Sequence, residues 1–212
     1  MTNPLRFLPL ALAAAALTAA PAARAEEPDG DHFEATMGFL VTREDHRTTG
    51  FSASGNGAPL AGAFRAAPYD GALGTGLRYD LRLVLSHVRM TAGFDLPFTS
   101  LGDAPARDVD GHRVAPRSLQ SWGVRFGLGA EYPLGPVTPF ADLQGSLLRT
   151  STELTVDGAT AAYDATRFGF SVRAGLRVRL KRWFFVSAAG EYGVTGATLW
   201  SADLGVGFRV GL

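Results

Sequence analysis

The 212-residue sequence predicts an all-β fold, an eight-stranded antiparallel up-and-down transmembrane β-barrel. Three observations support this prediction. Apolar residues alternate with polar or small residues in eight segments, the clearest segments run for about ten to fourteen residues, and the connections between segments vary regularly in length. Glycine recurs within the apolar stretches, which disfavours helices.

The alternation is clearest in residues 121–132, 167–180 and 200–212. In the first of these segments Trp122 belongs to an apolar face, while Arg125 belongs to a polar face on the other side of the strand. Five weaker segments complete the set of eight. They cover residues 33–41, 73–81, 88–96, 137–148 and 184–194.

The length and composition of these segments favour a membrane barrel over a soluble sandwich. Sandwich strands average about five or six residues, whereas a tilted membrane-spanning strand needs about 9 to 11. The polar rows are rich in Arg, Asp, Glu and Gly, which suits a barrel interior whose apolar outer face turns to lipid. Aromatic residues fit girdles at the two membrane interfaces, with Tyr132, Trp183 and Phe184 at one rim and Trp122 and Trp200 at the other.

The connections between the segments predict the orientation of the barrel. Those after the first, third and fifth strands are long and cover residues 42–70, 98–117 and 150–165. Those after the second, fourth and sixth are short and lie at residues 84–85, 133–136 and 181–182, and the last connection, around residues 195–198, is short as well. The pattern predicts that both termini and the tight turns face the periplasm and that the long loops lie outside the cell.

Residues 1–25 predict a secretory signal peptide. Arg6 supplies a positive start, residues 7–20 are apolar, and residues 23–25 form a cleavage site of the A-x-A type. Cleavage leaves a barrel domain of residues 26–212 and removes two arginines, so that 20 acidic and 18 basic residues give a formal charge of −2. This charge suggests no nucleic-acid partner. Cysteine is absent, which excludes disulfides and thiol chemistry.

The alternation places a set of charged residues in the barrel interior. An eight-stranded barrel is just wide enough for its side chains to fill the lumen, so we expect paired charges that hold it shut. The row of Arg173, Arg177 and Arg179 supports a second hypothesis, a narrow path that favours anions. The predicted lumen charge network comprises the acids Glu34, Asp80, Asp95, Glu131, Asp142, Glu191 and Asp203 and the bases Arg78, Arg82, Arg89, Arg125, Arg173, Arg177, Arg179 and Arg209.

The sequence predicts no catalytic site and no cofactor. His87 is predicted to lie on the polar face with Arg89, and its neighbour Ser86 points to the opposite face, so the two do not form a nucleophile and base pair. The other histidines are scattered along the chain at His32, His46 and His112.

The sequence also predicts no metal site. Asp103, Asp108, Asp110 and His112 could attract a divalent cation weakly, but a solvated acidic loop is the interpretation we adopt. The first long loop, over residues 48–67, could contact surfaces, lipopolysaccharide or other partners.

The last predicted strand carries a partial assembly motif. Asp203, Gly205 and Phe208 match the pattern polar-x-Gly-x-x-apolar-x-aromatic, and Val210 occupies the aromatic position. Together with the eight segments, this motif resembles the small outer-membrane β-barrel superfamily of the OmpA and OmpX type over residues 31–212. Members typically end on an aromatic residue, whereas this chain ends on leucine.

The resemblance implies the outer membrane of a Gram-negative bacterium, insertion by the barrel-assembly machinery, contact with outer-membrane lipid and lipopolysaccharide, and a monomer. The predicted function is a non-enzymatic integral outer-membrane β-barrel for envelope structure or surface interaction. A narrow, porin-like solute or ion channel is the alternative. A lipid-modifying barrel enzyme is the third hypothesis.

Overall fold

The computed structural model describes five stretches of the chain, residues 30–45, 52–54, 70–99, 106–109 and 111–212. The predicted signal peptide and most of the first long loop lie outside the described residues, as do His46, Asp103 and Asp110. The described part of the chain contains no helix that is long and apolar enough to cross a bilayer.

Eight long strands form the barrel and two short strands extend it. They are β1 (His32–Asp45), β2 (Ser52–Ser54), β3 (Asp70–Leu85), β4 (Val88–Thr99), β5 (Arg107–Val109), β6 (His112–Glu131), β7 (Val137–Val156), β8 (Ala159–Lys181), β9 (Phe184–Thr195) and β10 (Thr198–Gly211). Consecutive long strands pair in antiparallel fashion. The pairing of β10 with β1, beginning with His32 opposite Gly211, closes the sheet and confirms the predicted eight-stranded antiparallel barrel.

The barrel has two distinct ends. Gly30, Leu212 and the turns that follow β3, β6 and β8 lie at one end, which we call the termini end. The turns that follow β7 and β9 lie at the opposite end, which we call the loop end. The first tight turn contains Ser86 and His87, slightly later in the chain than predicted, because β3 continues to Leu85.

The outer wall is apolar and the interior is polar. Phe126, Leu143 and Leu204 point outward and are about two-thirds exposed, whereas Arg173 and Glu34 point inward and are 0% exposed. A soluble protein would have the opposite distribution, because large apolar side chains on its outer surface would be exposed to water. The observed distribution is that of a barrel surrounded by lipid.

The apolar wall has clear limits along the longest strands. On β6 the outward-facing residues are apolar from Trp122 to Tyr132, on β7 they are apolar up to Leu147, and on β8 they are apolar from Phe168 to Leu180. We call this region the apolar band. Its height of about 11 residues per strand is the length that a tilted strand needs to cross a bilayer.

The predicted long connection over residues 150–165 is wrong, because most of it is strand. β7 continues to Val156 and β8 begins at Ala159, so only Asp157 and Gly158 form the turn. Both turn residues have positive φ, 48° and 87°, which is the Asp-Gly signature of a tight hairpin. The predicted connection over residues 98–117 is shortened for the same reason, since β6 begins at His112.

Beyond the apolar band β6, β7 and β8 continue as part of the same sheet, and we call this part the extension. Its strand order is β2–β8–β7–β6–β5, with β2 paired to the end of β8 and β5 paired to the start of β6. Eight residues of strand at about 3.3 Å each, tilted as in other barrels, carry the extension roughly 20 Å past the band. Side-chain hydrogen bonds cross its outward face. Arg117 Nε, for example, donates to Thr155 Oγ1 at 2.9 Å. This polar face belongs in water and not in lipid.

Candidate functional site: the barrel interior

Strand register places opposite charges side by side in the interior. In the β3–β4 pair Arg78 lies opposite Asp95, and in the β7–β8 pair Asp142 lies opposite Arg173. Side chains that are directly opposite on one face of a sheet are close enough to interact. The register of neighbouring strands therefore brings these opposite charges together, and longer-range contacts across the lumen connect the resulting pairs.

Asp80 is the centre of the interior network. Its carboxylate accepts from Arg82 Nη2 at 2.5 Å, from Arg125 Nη2 at 2.7 Å and from Arg173 Nη1 at 3.0 Å. Asp80 is 2% exposed and its three partners are equally buried. One carboxylate thus compensates part of the charge of three guanidinium groups that have been removed from water.

On the loop-end side of Asp80, Arg78 binds three carboxylates. Its guanidinium lies 2.9 Å from Asp95, 2.8 Å from Glu191 and 2.9 Å from Asp203. Asp203 also accepts from Arg173 at 2.7 Å, which connects this group of residues to Asp80. Arginine suits such a position because its planar fork donates several hydrogen bonds in fixed directions.

On the termini-end side, Arg177 bridges two further acids. It donates to Glu34 in a short contact and lies 2.6 Å from Glu131. Arg89 lies 3.1 Å from Asp142 and 3.9 Å from Glu131. An ion pair of 3.8 Å between Arg82 and Glu34 connects this group to the centre of the network.

Two aromatic rings complete the interior at this level. The guanidinium carbon of Arg89 stands 3.7 Å from the centroid of the Phe140 ring, and that of Arg177 stands 5.2 Å from the Phe185 ring. Both rings are buried. A cation over an aromatic face is stabilised by the ring quadrupole, more strongly when the pair is desolvated. The rings therefore fill space while they stabilise the charges beside them.

Glycine makes room for the network at two positions. A Cβ added to Gly93 would lie 2.6 Å from Asp80 Oδ1 and 2.7 Å from Arg125 Nη2, and would collide with that ion pair. A Cβ added to Gly129 would lie 2.4 Å from Asp142 Oδ1 and 2.1 Å from the Ala141 carbonyl oxygen. The glycines of the polar rows thus keep space for large charged side chains from the adjacent strand.

The structure places all 15 predicted lumen residues on the interior face. Ion pairs and hydrogen bonds connect at least 14 of them into one network, in which Arg209 takes part through its 2.8 Å contact with His32 Nδ1, and His32 in turn lies 3.1 Å from Glu34. Arg179 lies at the termini end, where its Nη2 donates to the Gly135 carbonyl oxygen at 3.4 Å. The central members are almost completely buried, and Asp95 is the most accessible acid.

Sequence reasoning missed several interior residues. Glu44 is 2% exposed and accepts from Ser121 at 3.1 Å, but the predicted first strand ended at residue 41. Its even spacing from Glu34 was the available signal. Phe140 and Phe185 were missed because aromatic residues were expected on the outer wall.

The histidines do not form a catalytic group within the described residues. The prediction that His87 lies on the polar face with Arg89 is wrong, because His87 is exposed in the turn after β3, where its ring centroid lies 5.8 Å from that of Tyr132. His32 is buried in the charge network. In the described part of the chain no three His, Asp or Glu side chains are arranged to hold a metal ion. Asp108 is exposed.

The interior is closed at its centre. Arg82, Arg89 and Arg173 are each at most 1% exposed, so water does not reach these side chains from either end. Their charges are paired with buried acids, and their guanidinium carbons lie 3.7 to 5.9 Å from the centroid of the Phe140 ring. The arrangement can brace the barrel wall, and it leaves no room at this level for a substrate.

Comparison with known proteins yields a family and a fold. The sequence model of the outer membrane protein beta-barrel domain matches residues 10–210. The structure is similar to neisserial surface protein A, at 16% identity and a TM-score of 0.55, over 87% of this chain and 100% of that one. It is also similar to Ail, the attachment invasion locus protein of Yersinia pestis, at 12% identity and a TM-score of 0.53, over 86% of this chain and 100% of that one. No curated protein matches the sequence.

Proposed function

This chain belongs to the outer membrane protein β-barrel domain family, and from that premise we propose that it is a closed, non-enzymatic barrel that displays the extension at the cell surface. Its role is then envelope structure or surface interaction. The observation that carries this proposal is the buried charge network, in which fully buried arginines fill the centre of the lumen.

The extension supplies the surface for interaction. It stands beyond the apolar band, and its outward face bears charged groups of both signs, such as Arg149 and Asp164 at 3.9 Å. Loops and hairpins on a rigid scaffold are the usual position of binding residues. A braced barrel holds such a hairpin at a constant height above the membrane.

The proposal also includes the surroundings and partners of the barrel. The barrel sits as a monomer in outer-membrane lipid, with the extension among the lipopolysaccharide and the termini end in the periplasm. The barrel-assembly machinery inserts it. The outward-facing Phe208 on β10, in the partial assembly motif, supports this last point.

Planar-bilayer conductance tests the closed lumen. We expect the refolded protein to give no current steps, because the arginines at the centre of the barrel exclude water. Protease protection in the same membranes verifies insertion. Reproducible, salt-dependent steps would contradict the proposal and favour the narrow channel. In that case Arg177→Glu should shift the ion preference from anions towards cations, and an unchanged preference would exclude the arginine row as the path.

Cysteine labelling tests the orientation of the barrel. Because the native sequence contains no cysteine, only the introduced residue can react. A membrane-impermeant maleimide applied to intact cells should label Glu153→Cys in the extension, because this side chain is exposed beyond the band. Arg182→Cys at the termini end should react only after the outer membrane is permeabilised. Leu143→Cys, inside the apolar band, is the unlabelled control. Labelling of Arg182→Cys in intact cells would reverse the proposed orientation.

Lipid analysis tests the remaining hypothesis of a lipid-modifying enzyme. Expression of the chain should leave the species of outer-membrane lipid unchanged, since the described contacts pair neither His32 nor His87 with a serine hydroxyl. New deacylated or acylated lipid species would contradict the non-enzymatic assignment.

A further inference from the structure

The charge at the termini end is concentrated on one side of the barrel. The mouth of the lumen holds a cavity of about 10 Å³, enough for about one water molecule. Five basic residues line it beside a single acid, the buried Glu34. The basic residues are Arg177, Arg179, Lys181, Arg182 and Arg209.

The other turns at this end do not share this character. The turn after β6, residues 132–136, contains no charged residue, and the turn after β3 contains Ser86 and His87. Asp31 lies at the turn after β3, where its Oδ1 accepts from the Ser86 N–H at 2.9 Å. The basic surface is therefore confined to β8, the turn that follows it and β10.

An aromatic patch adjoins the basic mouth on the outer wall. Trp183 stacks on Phe208 with ring centroids 5.7 Å apart and planes 2° apart, and Phe184 packs against both rings. Lys181 Nζ stands 5.7 Å from the centroid of the Trp183 ring, and both residues are exposed. Since Trp and Lys at a membrane rim lie at the headgroup level, cation and apolar surface meet here at the depth of a lipid phosphate.

We propose that Lys181, Arg182 and the aromatic patch form a binding site for an anionic phospholipid, whose phosphate meets the two cations while its acyl chain covers Trp183 and Phe208. A soluble anion would use only the basic half of this surface, whereas a phospholipid uses both halves. The placement of the site in the periplasmic leaflet rests on the proposed orientation, but lipid binding itself does not.

Fluorescence quenching by brominated lipids tests the site. The double variant Trp122→Phe/Trp200→Phe leaves Trp183 as the single tryptophan, and nanodiscs expose both leaflets whatever the orientation. Brominated phosphatidylglycerol and brominated phosphatidylethanolamine are compared in the same host lipid. Each nearby basic residue strengthens binding to anionic lipid by about fivefold, so we expect a preference for phosphatidylglycerol of about five- to 25-fold at Trp183.

Three controls decide the outcome. Adding Lys181→Gln/Arg182→Gln should bring the preference close to one, while adding Arg149→Gln at the opposite end should leave it unchanged. A variant that retains only Trp122 should show no preference. Millimolar glycerophosphate should not compete, because it lacks acyl chains.

Several results would overturn the proposal. These are equal quenching by the two lipids at Trp183, a preference that survives Lys181→Gln/Arg182→Gln, and full displacement by glycerophosphate, which would identify a soluble-anion site. The acids Glu26, Glu27 and Asp29 precede the described residues. A preference that appears only after these acids are neutralised would mean that the native chain does not use the site.

Discussion

Asp80→Asn is expected to lower the free energy of unfolding by about 3 to 5 kcal/mol. The asparagine keeps the shape of the side chain, removes its charge and replaces one acceptor oxygen with an N–H donor. Arg82, Arg125 and Arg173 would then share a buried space without the carboxylate that all three contact at 3.0 Å or less. Burial makes the loss large, because these guanidinium groups cannot recover their interaction with water.

Urea unfolding in lipid vesicles, followed by tryptophan fluorescence, measures this change. The matched control is Asp164→Asn in the extension, whose pair with Arg149 is 3.9 Å long and exposed. Exposed pairs contribute about 0 to 1 kcal/mol, so this variant should unfold almost as the native protein does. Equal effects of the two substitutions would show that water penetrates the lumen and screens Asp80.

Leu143→Arg is expected to lower the free energy of unfolding by about 2 to 4 kcal/mol, the cost of a cation facing lipid near the bilayer midplane. Leu143 lies in the middle of the apolar band, points outward and is 69% exposed. Its neighbours across the strand pairs are Leu128 and Val172, which also face outward. Neither neighbour carries a polar group that could compensate the new charge.

The same urea titration measures this variant, with Gln120→Arg as its control. Gln120 lies on the same outward face, but beyond Trp122 and therefore outside the apolar band. The penalty for arginine falls to about 0 to 1 kcal/mol near the interface, so the control should change little. A similar loss for both variants would mean that lipid also covers the base of the extension, and the limits of the band would have to be redrawn.

The alternation of apolar and polar residues predicted the strands only where one face of the sheet borders lipid. Within the band, Phe168 and Arg167 differ strongly in polarity, so their alternation is visible in the sequence. In the extension the outward face is polar, as at Glu153, and the inward face carries both polar and apolar side chains, as at Thr152 and Leu154. The alternation of the band therefore does not continue, although the backbone pairing does. A search for alternation therefore ends at the edge of the membrane, and it assigned residues 150–165 to a loop.

By itself, the sequence determined the all-β class, the eight spanning strands and the interior face of 15 charged residues. Successive side chains of an extended backbone point to opposite faces, and this alternation is visible in the sequence without knowledge of the partner strand. The tertiary structure decided which charges meet. The alternation shows which face of the sheet a residue lies on, but not its height along the barrel axis. That height depends on the register and tilt of all the strands around the closed barrel. Arg78 and Glu191 are 113 residues apart in the chain, and only closure of the barrel brings them to 2.8 Å.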